Sequence, residues 1–283
     1  MERTSSGLSA AVTQLVRLPG VEEAVDAARD ACTQLRWHQA LRRRTAEAAA
    51  ESTARAARAS AAMEGAELPL DVVRDMLRGA VAAPGDAVGR VVSGALRATA
   101  ESRQLSRVLS TAPWQALARL HTAAAAGLVD DEALGRPRRD DEEPRDLAGP
   151  GVPPSGAELH GRLDGLVELL TLPGDVPALV VAALAHAEVM AMRPFVAGNG
   201  LVARSLFRAL VVERGLDPTG VAVPEHGLQA LGLPAYASAL TGYAGGSSEG
   251  VAGWLVHCGD AVRLGAAEGV RVADAVRAGR LTR

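Results

Sequence analysis

Apolar residues recur at helical spacing along most of this chain, and the runs are punctuated by proline and glycine. Residues 21–62 are rich in Ala with interspersed Arg and Glu and contain no proline, which predicts one or two long helices closed by a C-cap at Gly65. Helical periodicity resumes over 70–77 after Pro69, leaving a helix-to-turn connection at 64–69. Residues 79–109 read as further helix, broken near Pro84-Gly85. Ala112-Pro113-Trp114 opens an amphipathic stretch to residue 126, with Leu117, Leu120 and His121 at helical spacing. Acids, arginines, prolines and glycines then alternate over 130–154, as expected of a solvated surface loop. The patterns 158–172 and 176–192 are helical and separated by Pro173-Gly174. The second is apolar on nearly every face and predicts a central buried helix. A helix over 201–214 ends at Gly215, and shorter helices follow at 235–243 and 251–264. No internal repeat is visible.

Composition sharpens this into an all-α fold. The chain has 283 residues, enough for one large domain or two ordinary ones, and 48% of them are hydrophobic. Seven aromatic side chains are Trp37, Trp114, Trp254, Tyr236, Tyr243, Phe195 and Phe207, so the core must be mostly Ala, Leu and Val, which suits close helix-on-helix packing. The net charge of -3 gives no basic field to hold nucleic acid. Cys32 and Cys258 lack metal or redox spacing and fit a reducing compartment as inert core residues. The N-terminus lacks the apolar stretch of a secretory signal, and 176–192, with Pro177, His186 and Glu188, is too short and polar to span a bilayer. These features predict a cytoplasmic protein with no membrane role. There is no lysine, which excludes Schiff-base, Walker A and protein-kinase chemistry. HExxH and paired Cys/His patterns are also missing.

The single asparagine, Asn199, lies between Gly198 and Gly200. An Asn-Gly pair by itself marks a tight turn. Here a buried helix ending at Arg193, a turn over 194–200 and a new helix from 201 would aim backbone N–H groups at one point, an anion site at a helix N-terminus. Gly198 and Gly200 permit positive φ, Asn199 tolerates left-handed φ and offers an amide donor, and Arg204, one turn into the helix, can point back at the same anion.

The run RPFVAGNGLVAR, Arg193 to Arg204, resembles the signature of the Fic (Fido-domain) family, HxFx(D/E)GNGRxxR. Pro194, Phe195, Gly198, Asn199, Gly200 and Arg204 agree with it. Upstream, Ser60-Ala61-Ala62-Met63-Glu64-Gly65 is similar to the inhibitory-helix pattern (S/T)xxxE(G/N) of autoinhibited members. Family order also accommodates Gly135 to Arg138, Val152-Pro153-Pro154 and Tyr236 to Leu240. The resemblance implies a Fido helical fold over 113–262 with a small β-hairpin flap, an N-terminal helical region over 1–112 that carries an inhibitory-type helix at about 45–65, and a C-terminal tail over 263–283. It also implies transfer of a nucleotide moiety, usually AMP from ATP, to a protein hydroxyl. In that scheme Glu64 pairs with Arg204, and breaking such a pair if buried costs about 3–5 kcal/mol.

The departures fall on the chemistry. Arg193 stands where the family has its general-base histidine, and a guanidinium has no free lone pair to accept a proton. It could cap exposed carbonyls at a helix end or set a fixed positive charge beside the anion site. Ala197 replaces the acidic Mg2+ ligand, and Leu201 replaces the first arginine. His186 reads as a core histidine rather than a substitute base, and His226 is the other conceivable replacement. The favoured expectation is a catalytically impaired regulatory protein that binds ATP, another nucleotide or an anion, with no metal site. Two alternatives are a working transferase of altered chemistry and a partner-binding module that uses 136–154. The protein partner or target and any oligomer stay open at this stage.

Overall fold

The computed structural model describes residues 2–105, 108–146 and 149–281, and among these it has twelve α-helices and no sheet. In chain order they are α1 (Glu2–Gln14), α2 (Val21–Arg36), α3 (Thr45–Ala62), α4 (Leu70–Leu77), α5 (Ala87–Leu105), α6 (Pro113–Ala125), α7 (Gly156–Leu170), α8 (Ala178–Met192), α9 (Asn199–Glu213), α10 (Pro224–Leu231), α11 (Leu233–Ala244) and α12 (Ser248–Arg277). No helix among the described residues is long and apolar enough to cross a membrane.

The all-round apolar pattern of α8 has its explanation in its neighbours. It packs against α9, α7, α11 and α12, so no side of it is left for water. Helix α9 is equally enclosed, with α3, α5, α6 and α10 around it. Trp254 of α12 is fully buried and donates its Nε1–H to the Ala183 carbonyl of α8 at 2.8 Å. Both cysteines are buried and free, and burial pushes the Cys32 thiol up to about 12.

The sequence pattern left one boundary open and missed another. Residues 21–62 form α2 and α3 separated by a 3-10 turn at Gln39–Arg42, where the His38 ring accepts from the Ala40 N–H at 3.2 Å. The 251–264 pattern belongs to a 30-residue helix that runs on to Arg277. Gly265 and Gly269 conceal the continuation. They are glycines because a Cβ there would come within 2.6 Å of the Val223 carbonyl and 2.9 Å of the Val221 carbonyl oxygen.

Elsewhere too, glycine brings helix backbones into contact that larger side chains would hold apart. A Cβ on Gly227 of α10 would lie 1.9 Å from the Ala261 oxygen of α12, and one on Gly94 of α5 would lie 2.2 Å from the Ala124 oxygen of α6.

Charge fixes α3. Buried Glu51 accepts from Arg55 at 2.7 Å and from Arg74 of α4 at 2.8 and 2.5 Å, and Arg55 reaches Glu268 of α12 at 2.5 Å. Helix α3 ends in a Schellman motif: Ala66 N–H bonds the Ala61 carbonyl, Gly65 N–H bonds the Ala62 carbonyl, and Gly65 takes φ +76°.

The close helix contacts are testable by thermal denaturation. Gly227→Ala should destabilise by about 2–3 kcal/mol because backbone, not a flexible side chain, blocks the methyl. Gly253→Ala on α12, which faces open space, should be neutral or stabilising by up to about 1 kcal/mol. Equal effects would refute the backbone-contact account.

Candidate functional site

Helix α8 stops at Arg193, which takes φ +44° and is the non-glycine residue at positive φ among the described residues. Pro194 follows and cannot extend the helix. Asn199 then closes the turn on itself. Its Oδ1 accepts from the Phe195 N–H at 2.9 Å, and its Nδ2 donates to the Phe195 carbonyl at 2.8 Å. Gly198 is the N-cap of α9 at φ +82°, as the anion-cradle reading requires. Gly200 is different: it lies within the helix and not at positive φ, so the expectation of a second left-handed glycine is corrected. Its need is space, because a Cβ at 200 would sit 2.1 Å from Glu64 Oε1.

The cradle holds an anion drawn from the chain itself. Gly198 and Asn199 N–H groups donate to Asp146 Oδ1 at 2.9 and 3.0 Å, and Asn199 Nδ2 donates to Oδ2. Burial raises the Asp146 pKa above its ordinary value and nearby Glu64 adds to the rise, while the N–H donors restrain it. Asp146 belongs to the segment read as a solvated loop, and that reading needs correction. Asp140, Asp141 and Glu143 are exposed, but Arg138 is buried. Arg138 donates its N–H to the Pro194 carbonyl at 2.7 Å and its Nε–H to the Arg193 carbonyl at 3.0 Å, and Arg145 N–H donates to the Val196 carbonyl at 2.7 Å. The segment is therefore a strap laid over the turn. Its described residues form no strand, in place of the hairpin flap, because Pro137, Pro144, Pro150, Pro153 and Pro154 lack the donors a ladder needs.

The other end of the site is the buried guanidinium of Arg204. Its Nε–H donates to Ser60 Oγ at 2.8 Å, and its Nη2 donates to the Ser60 carbonyl at 3.1 Å and to Glu64 Oε1 at 2.5 Å. Burial opposes the charge, but Glu64 with smaller contributions from Tyr236 and Glu225 outweighs it, and the Arg204 pKa stands above its ordinary value. Ser60, Glu64 and Arg204 thus meet as the sequence pattern implied, and Gly65 serves as the helix stop beside them.

Arg193 turns into the strap. Its Nη2 donates to the Gly151 carbonyl at 2.5 Å, and its side chain packs so closely on Gly149 that a Cβ there would be 2.6 Å from Nη1. Burial lowers its pKa and Asp146 acts in the opposite direction, yet a guanidinium stays protonated at neutral pH. His186 is a core histidine. It is fully buried, pairs with Tyr236 Oη at 2.8 Å and stands edge-on to Phe207 and Trp254. His226 faces Glu268 of α12 at 3.8 Å and is not brought to the cradle.

With this geometry in view, comparison with solved structures is informative. A Fic family protein from Desulfovibrio desulfuricans G20 superposes with a TM-score of 0.71 at 18% identity, over 89% of this chain and 74% of that one. A Fic domain containing signaling protein from Bacteroides thetaiotaomicron VPI-5482 gives 0.61 at 14% identity, over 89% and 98%. The protein has the Fic fold. Fic-1 from C. elegans also matches it, with a TM-score of 0.58 at 19% identity over 98% of this chain and 76% of that one. No family model and no curated protein sequence matches the chain. In this Fic fold the α8–α9 turn carries the motif and the turn that ends α3 carries Glu64.

Sequence reasoning missed the roles of Asp146, Arg138 and His121 at the site. The first two lie in a run of charges where nothing marks the residues that turn inward. His121 stacks on Phe195 with ring centroids 4.0 Å apart, and its Nδ1 accepts from the Gly135 N–H at 3.0 Å. Burial pushes its pKa down to about 4, against a contact with the Ala197 backbone.

Two predictions follow from these contacts. Gly200→Ala should displace the flexible Glu64 carboxylate, so Gly200→Ala and Glu64→Ala should each cost about 1–3 kcal/mol while the double variant costs far less than their sum. Additive losses in denaturant titration would place Glu64 elsewhere. For His121, the unfolded ring protonates near pH 6.5 while the native ring resists until about 4. Its stabilisation is therefore present above pH 6.5 and lost as pH falls to 4, on the order of 2–3 kcal/mol. His121→Gln should flatten the stability profile across that window, and an unchanged slope would count against it.

Proposed function

We propose that this protein is a nucleotide- or anion-binding regulatory relative of the Fic transferases in which transfer chemistry is impaired. The observation that carries the reading is the Glu64–Arg204 pair lying over the first turn of α9. A carboxylate paired there holds the arginine that would otherwise grip a phosphate, which is the arrangement of an inhibited anion site.

The residues present fit a phosphate-bearing ligand. Gly198 and Asn199 already donate to an anionic carboxylate, and Arg204 would add a permanent positive charge once Glu64 withdraws. A bound ATP would supply a transferable nucleotidyl group. This chain's own residues would orient its phosphates, but the group at 193 is a guanidinium tied to the strap and cannot take a proton from a target hydroxyl. The residues do not fit Mg2+. Ala197 has no oxygen donor on its side chain, and both oxygens of Asp146 are engaged by N–H groups.

The test uses purified protein with ATP, GTP, UTP and CDP-choline, scored for binding and for self-modification, with and without Glu64→Gly. Binding should tighten at least tenfold in Glu64→Gly and be lost when Arg204→Ala is added, with no transfer by any variant. Robust transfer by the unmodified protein would overturn the impaired-chemistry reading. Nucleotide binding that ignores Arg204 would overturn the site.

A further inference from the structure

We propose that Asp146 is an internal ligand of the anion cradle, delivered by the strap, and that a phosphate-bearing ligand binds only when the strap lifts away. This rests on the reading of the cradle as a nucleotide site.

The way Asp146 is held is that of a bound anion. Three donors, the Gly198 N–H, the Asn199 N–H and the Asn199 side-chain amide, converge on its two oxygens. A metal ligand would instead turn free lone pairs outward. Nor is Asp146 an ordinary helix cap, which comes from the residue beside the first turn. It arrives from 52 positions upstream, and the local N-cap, Gly198, has no side chain to offer. The chain has thus left its own cap position empty and filled the donors from a separate element.

That element is fastened in a manner suited to release. Its attachments to the turn are the Arg138 and Arg145 backbone N–H groups, the Arg138 guanidinium on the Arg193 carbonyl, and Arg193 on the Gly151 carbonyl. These contacts are polar hydrogen bonds, and the Arg138 guanidinium among them is buried. A second carboxylate, Glu64, approaches the same helix end from the turn after α3; burial raises the pKa of Asp146 and this like charge adds to the rise. Each charge therefore weakens the hold of the other.

The competition can be sized. A tethered group acts on its site at an effective concentration of about millimolar or more, so a free ligand must outbid it and its apparent affinity falls accordingly. Removing the Asp146 carboxylate should then tighten binding at least tenfold.

Calorimetric titration of ATP and inorganic pyrophosphate into the full chain tests this. The variants are Glu64→Gly alone and Glu64→Gly combined with Asp146→Ala, Asp146→Asn or Asp140→Ala, the last correcting for net charge at an exposed strap position. Asp146→Ala should lower Kd at least tenfold relative to Glu64→Gly, Asp146→Asn should fall between them, and Asp140→Ala should change little. If Glu64→Gly binds ATP and Asp146→Ala adds no more than Asp140→Ala does, the internal-ligand proposal fails while the nucleotide reading stands. If no variant binds, the nucleotide reading itself fails. Hydrogen exchange needs no change at Asp146 and guards against a misfolded variant: saturating ATP on Glu64→Gly should speed exchange at the Arg138 and Arg145 amides. Undiminished protection of both amides in the ATP complex would overturn the proposal.

Discussion

A guanidinium enclosed by a helical core must meet an anion or remain an uncompensated charge, and for Arg204 the anion is Glu64. Much of the architecture can be understood as the set of conditions for that meeting. Glu51, Arg55, Arg74 and Glu268 fix α3 against α4 and α12, so the end of α3 arrives at a defined height above α9. The left-handed Gly65 stops the helix one residue after Glu64, and Ser60, one turn earlier, takes two of the arginine's donors. Gly200 leaves the gap into which the carboxylate fits. Each of these residues has a role that is intelligible only in relation to the others.

The N-terminus of α9 poses a second electrostatic problem. Its first N–H groups have no partners within the helix, and the helix dipole makes that end favourable for negative charge, typically by about 0.3–1 kcal/mol at an exposed site. Asp146 answers it from one direction and Glu64 lies close by on another. A helix end served by two carboxylates from distant parts of the chain couples α3, the strap and the turn into one electrostatic unit.

The sequence made the helices legible wherever apolar spacing and proline agreed, as at 70–77, and the enclosed position of α8 followed from its lack of any polar face. The meeting of Ser60, Glu64 and Arg204 was legible through pattern resemblance alone, since no local rule joins residues 140 positions apart. The full length of α12 was hidden because glycines that permit backbone contact look the same in a sequence as glycines that end a helix. The inward role of Asp146 was hidden for a related reason. Asp140, Asp141 and Asp146 are chemically alike, and only the path of the strap decides which of them faces water.

Arg193 shows how one side chain at the end of a helix becomes part of the architecture around it. The position is held at φ +44°, its carbonyl receives Arg138 and its side chain ties down Gly151. Arg193→His would remove the guanidinium that holds the strap at Gly151. A substitution at this position is therefore felt on both sides of the turn at once, through the carbonyl and through the side chain.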